Sequence, residues 1–178
     1  MAAFDPRDDL SQDLAFQLMV HTSVTLFWRR ALLDETADWL AKSGYHVVAL
    51  DAAGWTTEED LHRDIAAALD FPDYYGHNLN ALNDCLRDVA DQEYGWPAEA
   101  AGLVLAFTGY DRFVAASPQV AQIVLDIVAG QARSALLFGR RLLVLVQTDD
   151  PQLSFDPVGA LPVVWNDAEW LDDSRRPG

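Results

Sequence analysis

The chain has 178 residues, 51% of them hydrophobic. That suffices for one domain with a sizeable core and is too apolar for a disordered chain. A lone cysteine, Cys85, precludes an intramolecular disulfide, so the fold rests on packing and suits a reducing compartment. Twelve Lys+Arg against 28 Asp+Glu leave a formal charge of −16, which repels phosphate backbones and argues against a direct nucleic-acid binder; such surface acid either simply keeps a protein soluble or meets a basic protein partner.

No apolar run approaches the length of a membrane span. The opening MAAFDPRDDLSQDL is acidic where a signal peptide carries basic residues, so a cytosolic protein is expected. From Ser11 the pattern suggests a short helix or turn. TSVTLFWR (22–29) is rich in β-branched and aromatic residues and reads as a strand. ALLDETADWLAKSG then spaces Leu33, Ala37, Leu40 and Ala41 at helical intervals and stops at Gly44, a suitable C-terminal cap. YHVVALDA follows as a second strand, and strand, helix, strand in this order signals a parallel crossover.

Beyond Trp55, Thr56 and Glu59 stand in the S/T-x-x-E arrangement that starts a helix, and Leu61, Ile65, Ala68 and Leu69 give it an apolar face. Pro72 ends that helix, Gly76 supplies a turn, and Asn78 caps the next helix, whose buried side is Leu79, Leu82, Leu86 and Val89. GLVLAFTGY is a near-continuous apolar run, as a central parallel strand covered on both faces requires. A helix is expected over 117–137, with Pro118 in its first turn and Ile123, Leu125, Ile127 and Val128 as apolar bulk. RLLVLVQT is another buried strand, LPVVWN an edge strand, DAEWLDD a terminal helix or cap, and SRRPG a frayed tail. The class is α/β: a small parallel sheet flanked by helices, in a single domain spanning 1–178.

Few residues offer chemistry. His21, His46, His62 and His77 are irregularly spaced, and with one cysteine they form no zinc motif, so neither metal nor cofactor is expected. Phosphate-binding glycine loops are absent from the sequence. A Cys85–His77 nucleophilic pair is conceivable but has no orienting third group in view. What remains is the polar side of the helix after Asn78. At 100° per residue, Asn80, Asp84, Arg87 and Asp91 share one stripe, with Asn83 and Asp88 beside it. Such a stripe is either a solvated face with Arg87 bridging Asp84 or Asp91, or, with Tyr74 and Tyr75 in the turn before it, a protein interface.

The segment DLHRDIAAALDFPDYYGHNLNALNDCLRD (60–88), and within it the run YYGxNLxALxDCL, resembles the signature of the barstar family, inhibitors of the ribonuclease barnase. A weaker likeness extends over residues 45–148, leaving 1–44, with its strand-helix unit, and 149–178 as extensions. The resemblance implies a helix and preceding loop that plug a ribonuclease active site with carboxylates. By position Asp84 matches the family's most important carboxylate, Tyr74 its loop tyrosine, Gly76 the turn, and Asn78 and Leu79 the helix start. Asn80 stands where the founding inhibitor is acidic, Asn83 where it has tryptophan, and Arg87 adds a positive charge. In the third family helix the nearest positions to a further interface carboxylate are Gly130 and Gln131. The expected function is inhibition of a small basic ribonuclease or related toxin, with Tyr74, Gly76, Asn78, Leu79, Asn80, Asn83, Asp84, Arg87 and Asp88 at the interface. The alternatives are a barstar-like module for a basic protein that is not a ribonuclease, and an enzyme using Cys85 and His77.

Overall fold

The computed structural model describes residues 15, 18, 22–172, 174 and 175. The segment expected to be helical from Ser11 lies outside these residues apart from Ala15 and Leu18, and so does His21. Strands β1 (Val24–Phe27), β2 (His46–Asp51), β3 (Leu103–Thr108), β4 (Leu142–Gln147) and β5 (Val164–Trp165) form one sheet in the order β2-β3-β4-β1-β5. Every pairing is parallel. Five helices connect them: α1 (Arg30–Lys42), α2 (Glu58–Ala68), α3 (Leu79–Ala90), α4 (Tyr110–Ala116) and α5 (Pro118–Leu136).

Because successive strand residues point to opposite faces, an apolar strand with a helical layer on each side feeds two cores. In β3, Leu103, Leu105 and Phe107 join the core beneath α2, α3 and α5, while Val104 and Ala106 join a smaller core with Leu33 and Leu40 of α1. β4 divides in the same way, Leu142, Val144 and Val146 against Leu143 and Leu145. Ala15 is buried in the smaller core, so the N-terminal region is docked at that point. α1 ends as its sequence suggests. Gly44 takes φ +89°, and the Tyr45 N–H reaches back to the Leu40 carbonyl at 3.0 Å, a Schellman closure. Ala41, expected on the apolar face, is exposed.

Several expectations are corrected. The capping box of α2 lies one residue later than Thr56 and Glu59: the Thr57 hydroxyl accepts from Asp60 N while Asp60 accepts from Thr57 N. Thr56 also donates to Asp60, which suits a carboxylate at a helix N-terminus. α4 was not anticipated. The strand stops at Thr108, Gly109 turns with φ +60°, and Tyr110 begins a helix. Ile123, expected in the core, is 41% exposed; Ala121, Val124, Leu125, Val128 and Ala132 are the buried row. Within DAEWLDD, residues 167–171 form turns rather than a helix. The tail is not frayed at Arg175, which is buried with its guanidinium 4.2 Å over the Trp165 ring and donates to the carbonyls of Glu169, Trp170 and Pro151.

The segment before it, from Asn166 to Glu169, folds onto the end of β1 and the entrance to α1. Glu169, fully buried, accepts from the backbone N–H of Trp28 at 2.8 Å and of Arg29 at 2.9 Å, from Arg29 Nε at 3.1 Å, and from Asn166. Arg29 is the N-cap of α1 and has no side-chain cap bond of its own. Glu169 therefore satisfies backbone donors at the α1 entrance from far along the sequence. Burial by itself would raise its pKa, but these hydrogen bonds outweigh burial and hold the carboxyl below its ordinary value.

Candidate partner-binding face

α3 is amphipathic because Leu82, Cys85, Leu86, Val89 and Ala90 recur every three or four residues and are all buried. Leu79 lies at the margin, half-buried against the same core. Asn78 caps the helix as expected: its Oδ1 accepts from Ala81 N at 3.0 Å, and its Nδ2 donates to the Gly76 carbonyl at 3.0 Å. The left-handed residue of the turn is His77, at φ +49°, and not Gly76. Gly76 matters through space instead, since a Cβ there would stand 3.1 Å from the Asn78 amide and loosen the cap.

The two adjacent tyrosines separate. Tyr74 is 82% exposed, whereas Tyr75 is buried. Tyr75 packs edge-on against Phe71 and its hydroxyl meets His62 Nδ1, while His62 Nε2 lies 3.1 Å from Glu58 Oε1. A carboxylate only accepts, so Nε2 donates to Glu58, and in the neutral ring Nδ1 accepts from the tyrosine hydroxyl. Burial raises the Tyr75 pKa above its ordinary value and keeps that donor protonated. His77 lies tilted over Tyr75 with ring centroids 4.9 Å apart. This anchor fixes the loop from which Tyr74 projects. The sequence reading assigned it nothing, although His62 standing four residues after Glu58 on one helix was a usable sign.

The polar stripe of α3 is solvent-facing. Asp84 and Arg87 are both exposed and sit 3.3 Å apart; Arg87 also approaches Asp88 at 3.9 Å. Asp91, the alternative partner for Arg87, instead pairs with Arg140 at 2.9 Å. Asn80 is exposed. Asn83 turns toward α5, where its Oδ1 accepts from Gln131 Nε2 at 2.9 Å. The structure thus brings Tyr74, Asn80, Asp84 and Arg87 to the surface on one loop and one helix, with Asp88 half-exposed beside them. Gly76, Asn78 and Leu79 build the support, and Asn83 ties it to the neighbouring helix.

Other chemistry finds little footing. Cys85 is buried within the leucine row, a site for a small hydrophobe rather than a nucleophile. Among the described residues no group of three or more His, Cys, Asp and Glu side chains is placed to hold a metal, and no helix is long and apolar enough to cross a membrane. Concavities of about 240 and 200 Å³ lie away from α3, one between Leu32, Thr36 and Trp165, the other at the carboxyl ends of the strands around Gln147. In the second, Gln147 already accepts from Gly109 N and donates to Asp149 and to the Trp28 carbonyl.

A parallel α/β sheet that presents a capped, acid-striped helix beside an exposed tyrosine defines a small scaffold displaying an exposed polar face. Residues 45–147 match the family described as Barstar (barnase inhibitor), and the chain belongs to that family. It is also similar to the Bacillus subtilis (strain 168) protein named "Putative ribonuclease inhibitor YrdF", with 48% identity over 44 residues. That match covers 25% of this chain and 48% of the relative, so about half of the relative's length is spanned. Proteins of the family are inhibitors rather than enzymes.

Proposed function

We propose that this protein inhibits a small basic ribonuclease by seating the Tyr74 loop and the Asp84 face of α3 in the enzyme's cationic cleft. The observation that carries the reading is Asp84 itself, exposed on a capped helix and, among the described residues, ion-paired with the exposed Arg87 alone. An exposed ion pair of this kind contributes little and is readily exchanged. A partner's arginine, lysine or protonated histidine can replace Arg87 and form a charge-assisted hydrogen bond. Competition for the place of the RNA phosphate then blocks the enzyme without chemistry by the inhibitor. Asn80, Arg87 and Asp88 would touch the rim, while Gly76, Asn78, Leu79 and Asn83 hold the geometry. The charge of −16 speeds encounter with a cationic enzyme. Inside a cell such a complex shields RNA from the toxin.

The test is titration of the protein into barnase at low ionic strength, reading residual RNA cleavage. Stoichiometric loss of cleavage is expected. Asp84→Ala should weaken inhibition about tenfold to a hundredfold, the worth of a hydrogen bond to a charged group. Asp34→Ala, which changes net charge equally on the opposite side of the sheet, should be close to wild type. Equal effects of the two substitutions would refute the site, and absence of inhibition would refute the barnase-type target.

A further inference from the structure

The concavity at the carboxyl ends of the strands takes no part in the inhibitor reading. β1 and β4 are neighbours in the sheet, yet the chain leaves them toward opposite faces. After β1 it enters α1, whose Leu33 and Leu40 belong to the smaller core; after β4 it runs to Phe155 and Val158, which pack on the larger one. Where connections part in this way, the carboxyl edge of a parallel sheet opens into a crevice, and α/β proteins bind ligands there. Here the crevice measures about 200 Å³ and is lined by Arg30, Asp51, Thr108, Arg112, Gln147 and Asp149. Arg30 and Asp149 come from outside the span that matches the family, so the flanking segments complete it.

Gln147 fixes the floor. It is 4% exposed and commits its amide to Gly109 N, Asp149 and the Trp28 carbonyl. Gly109 draws one wall in, since a Cβ there would stand 2.7 Å from the Ala53 Cβ. Thr108 is only 7% exposed, and among the described residues its hydroxyl has no hydrogen-bond partner. No fully enclosed side-chain nitrogen or oxygen among those residues lacks a partner, so this hydroxyl opens onto the crevice that Thr108 lines. The half-buried Arg112 guanidinium is likewise unpaired among the described residues, in a chain with 28 acidic side chains. Arg30 gives Nε to Asp34 at 2.8 Å and keeps its terminal nitrogens uncommitted. Asp51 accepts from Ala53 N and Asp149 from Gln147, each through Oδ1, which leaves each an Oδ2 to offer.

We propose that this crevice binds a free α-amino acid. Two guanidinium groups and a hydroxyl form charge-assisted hydrogen bonds with a carboxylate, and two aspartates form them with an ammonium group. The mixture selects the ligand. A simple anion is opposed by Asp51 and Asp149 and a simple cation by Arg30 and Arg112, whereas a zwitterion meets both signs favourably. Size agrees, because the crevice falls below the range of about 300–1,000 Å³ that drug-sized ligands and cofactors fill. The site uses no residue of the α3 face, so it stands or falls apart from ribonuclease inhibition.

The test is isothermal titration calorimetry of the full chain with each standard amino acid in turn, and with acetate, ethylamine and inorganic phosphate at the same millimolar concentrations. At least one amino acid should bind one molecule per chain, about tenfold or more tighter than each of the three simple ions. Arg112→Gln and Asp51→Asn should each weaken it about tenfold or more, the worth of a hydrogen bond to a charged group. Thr108→Val keeps the side-chain shape and has no protein partner to lose, so it should melt as wild type does and still bind the amino acid severalfold more weakly. Absence of binding by every amino acid overturns the proposal, as does binding that all three variants leave unchanged. Phosphate or acetate bound as tightly as any amino acid would make this an anion site and overturn it too.

Discussion

Replacing Glu169 tests whether the C-terminal segment holds the start of α1. Glu169→Ala removes the acceptor for two backbone N–H groups and for Arg29 Nε, all now within 3.1 Å of its carboxylate. Loss of a helix-entry acceptor costs about 0.5–2 kcal/mol, and leaving a part-buried donor unsatisfied costs about 1–3 kcal/mol. Water can reach part of the opened site, so a total of about 2–4 kcal/mol is expected. At about 2–4 °C per kcal/mol for a chain of this size, melting should fall by roughly 4–16 °C. Glu169→Gln should lose most of that, because its amide turns one N–H group toward another. The assay is urea unfolding followed by tryptophan fluorescence, repeated from pH 7 to pH 3. The carboxyl is held below its ordinary value in the folded state. Its contribution is therefore complete above the unfolded pKa, about 4.3, and is lost as pH falls through the folded value. The advantage of wild type over Glu169→Gln should shrink correspondingly in acid. A glutamine variant within about 0.5 kcal/mol of wild type at pH 7 would refute the reasoning.

Leu82, fully buried beneath α3, should cost about 2–5 kcal/mol when cut to alanine; a neutral urea midpoint would mean the buried face of α3 is misplaced. Gly130 is interior to α5 with nothing near an added Cβ, so Gly130→Ala should stabilise the fold by about 0.5–1 kcal/mol, and a loss of stability would show hidden crowding. Association with barnase in stopped flow should slow steeply as salt is raised from about 0.01 M, where the screening length is about 30 Å, to about 0.15 M, where it is about 8 Å. A salt-independent rate would count against electrostatic steering.

Much of the architecture is readable from local pattern. The leucine spacing of α3 and the unbroken apolar runs of β3 and β4 each admit one economical structure, and the structure adopts it. Where the pattern is degenerate, the reading slips. Two threonines followed by Glu58, Glu59 and Asp60 fit a capping box in either of two registers. Gly109-Tyr110 extends an apolar strand as plausibly as it opens a helix. In α5 the apolar residues ring the helix, so Ile123 and Val124 look equivalent until neighbours are known. For the candidate face, Asp84 on an exposed stripe is deducible from 100° geometry. The opposite fates of Tyr74 and Tyr75 are not, because they hinge on His62 in another helix. The bonds from Trp28 and Arg29 to Glu169 join opposite ends of the chain, and no local pattern encodes them.

The place of β1 in the sheet bears on how the chain is made. Of the five described strands β1 leaves the ribosome first, yet its neighbours are β4 and β5, the last two of the five; Val24 pairs with Val144 and Thr25 with Val164. At about 5–20 residues per second, synthesis keeps the apolar VTLF segment waiting for several seconds without either partner. β2, β3 and β4 can pair in the order in which they emerge. A nascent chain arrested before Leu142 would carry β1 with both strand edges open, a template for joining other nascent chains. Emergence of β4 and β5, more than any single contact, is what puts that edge out of reach.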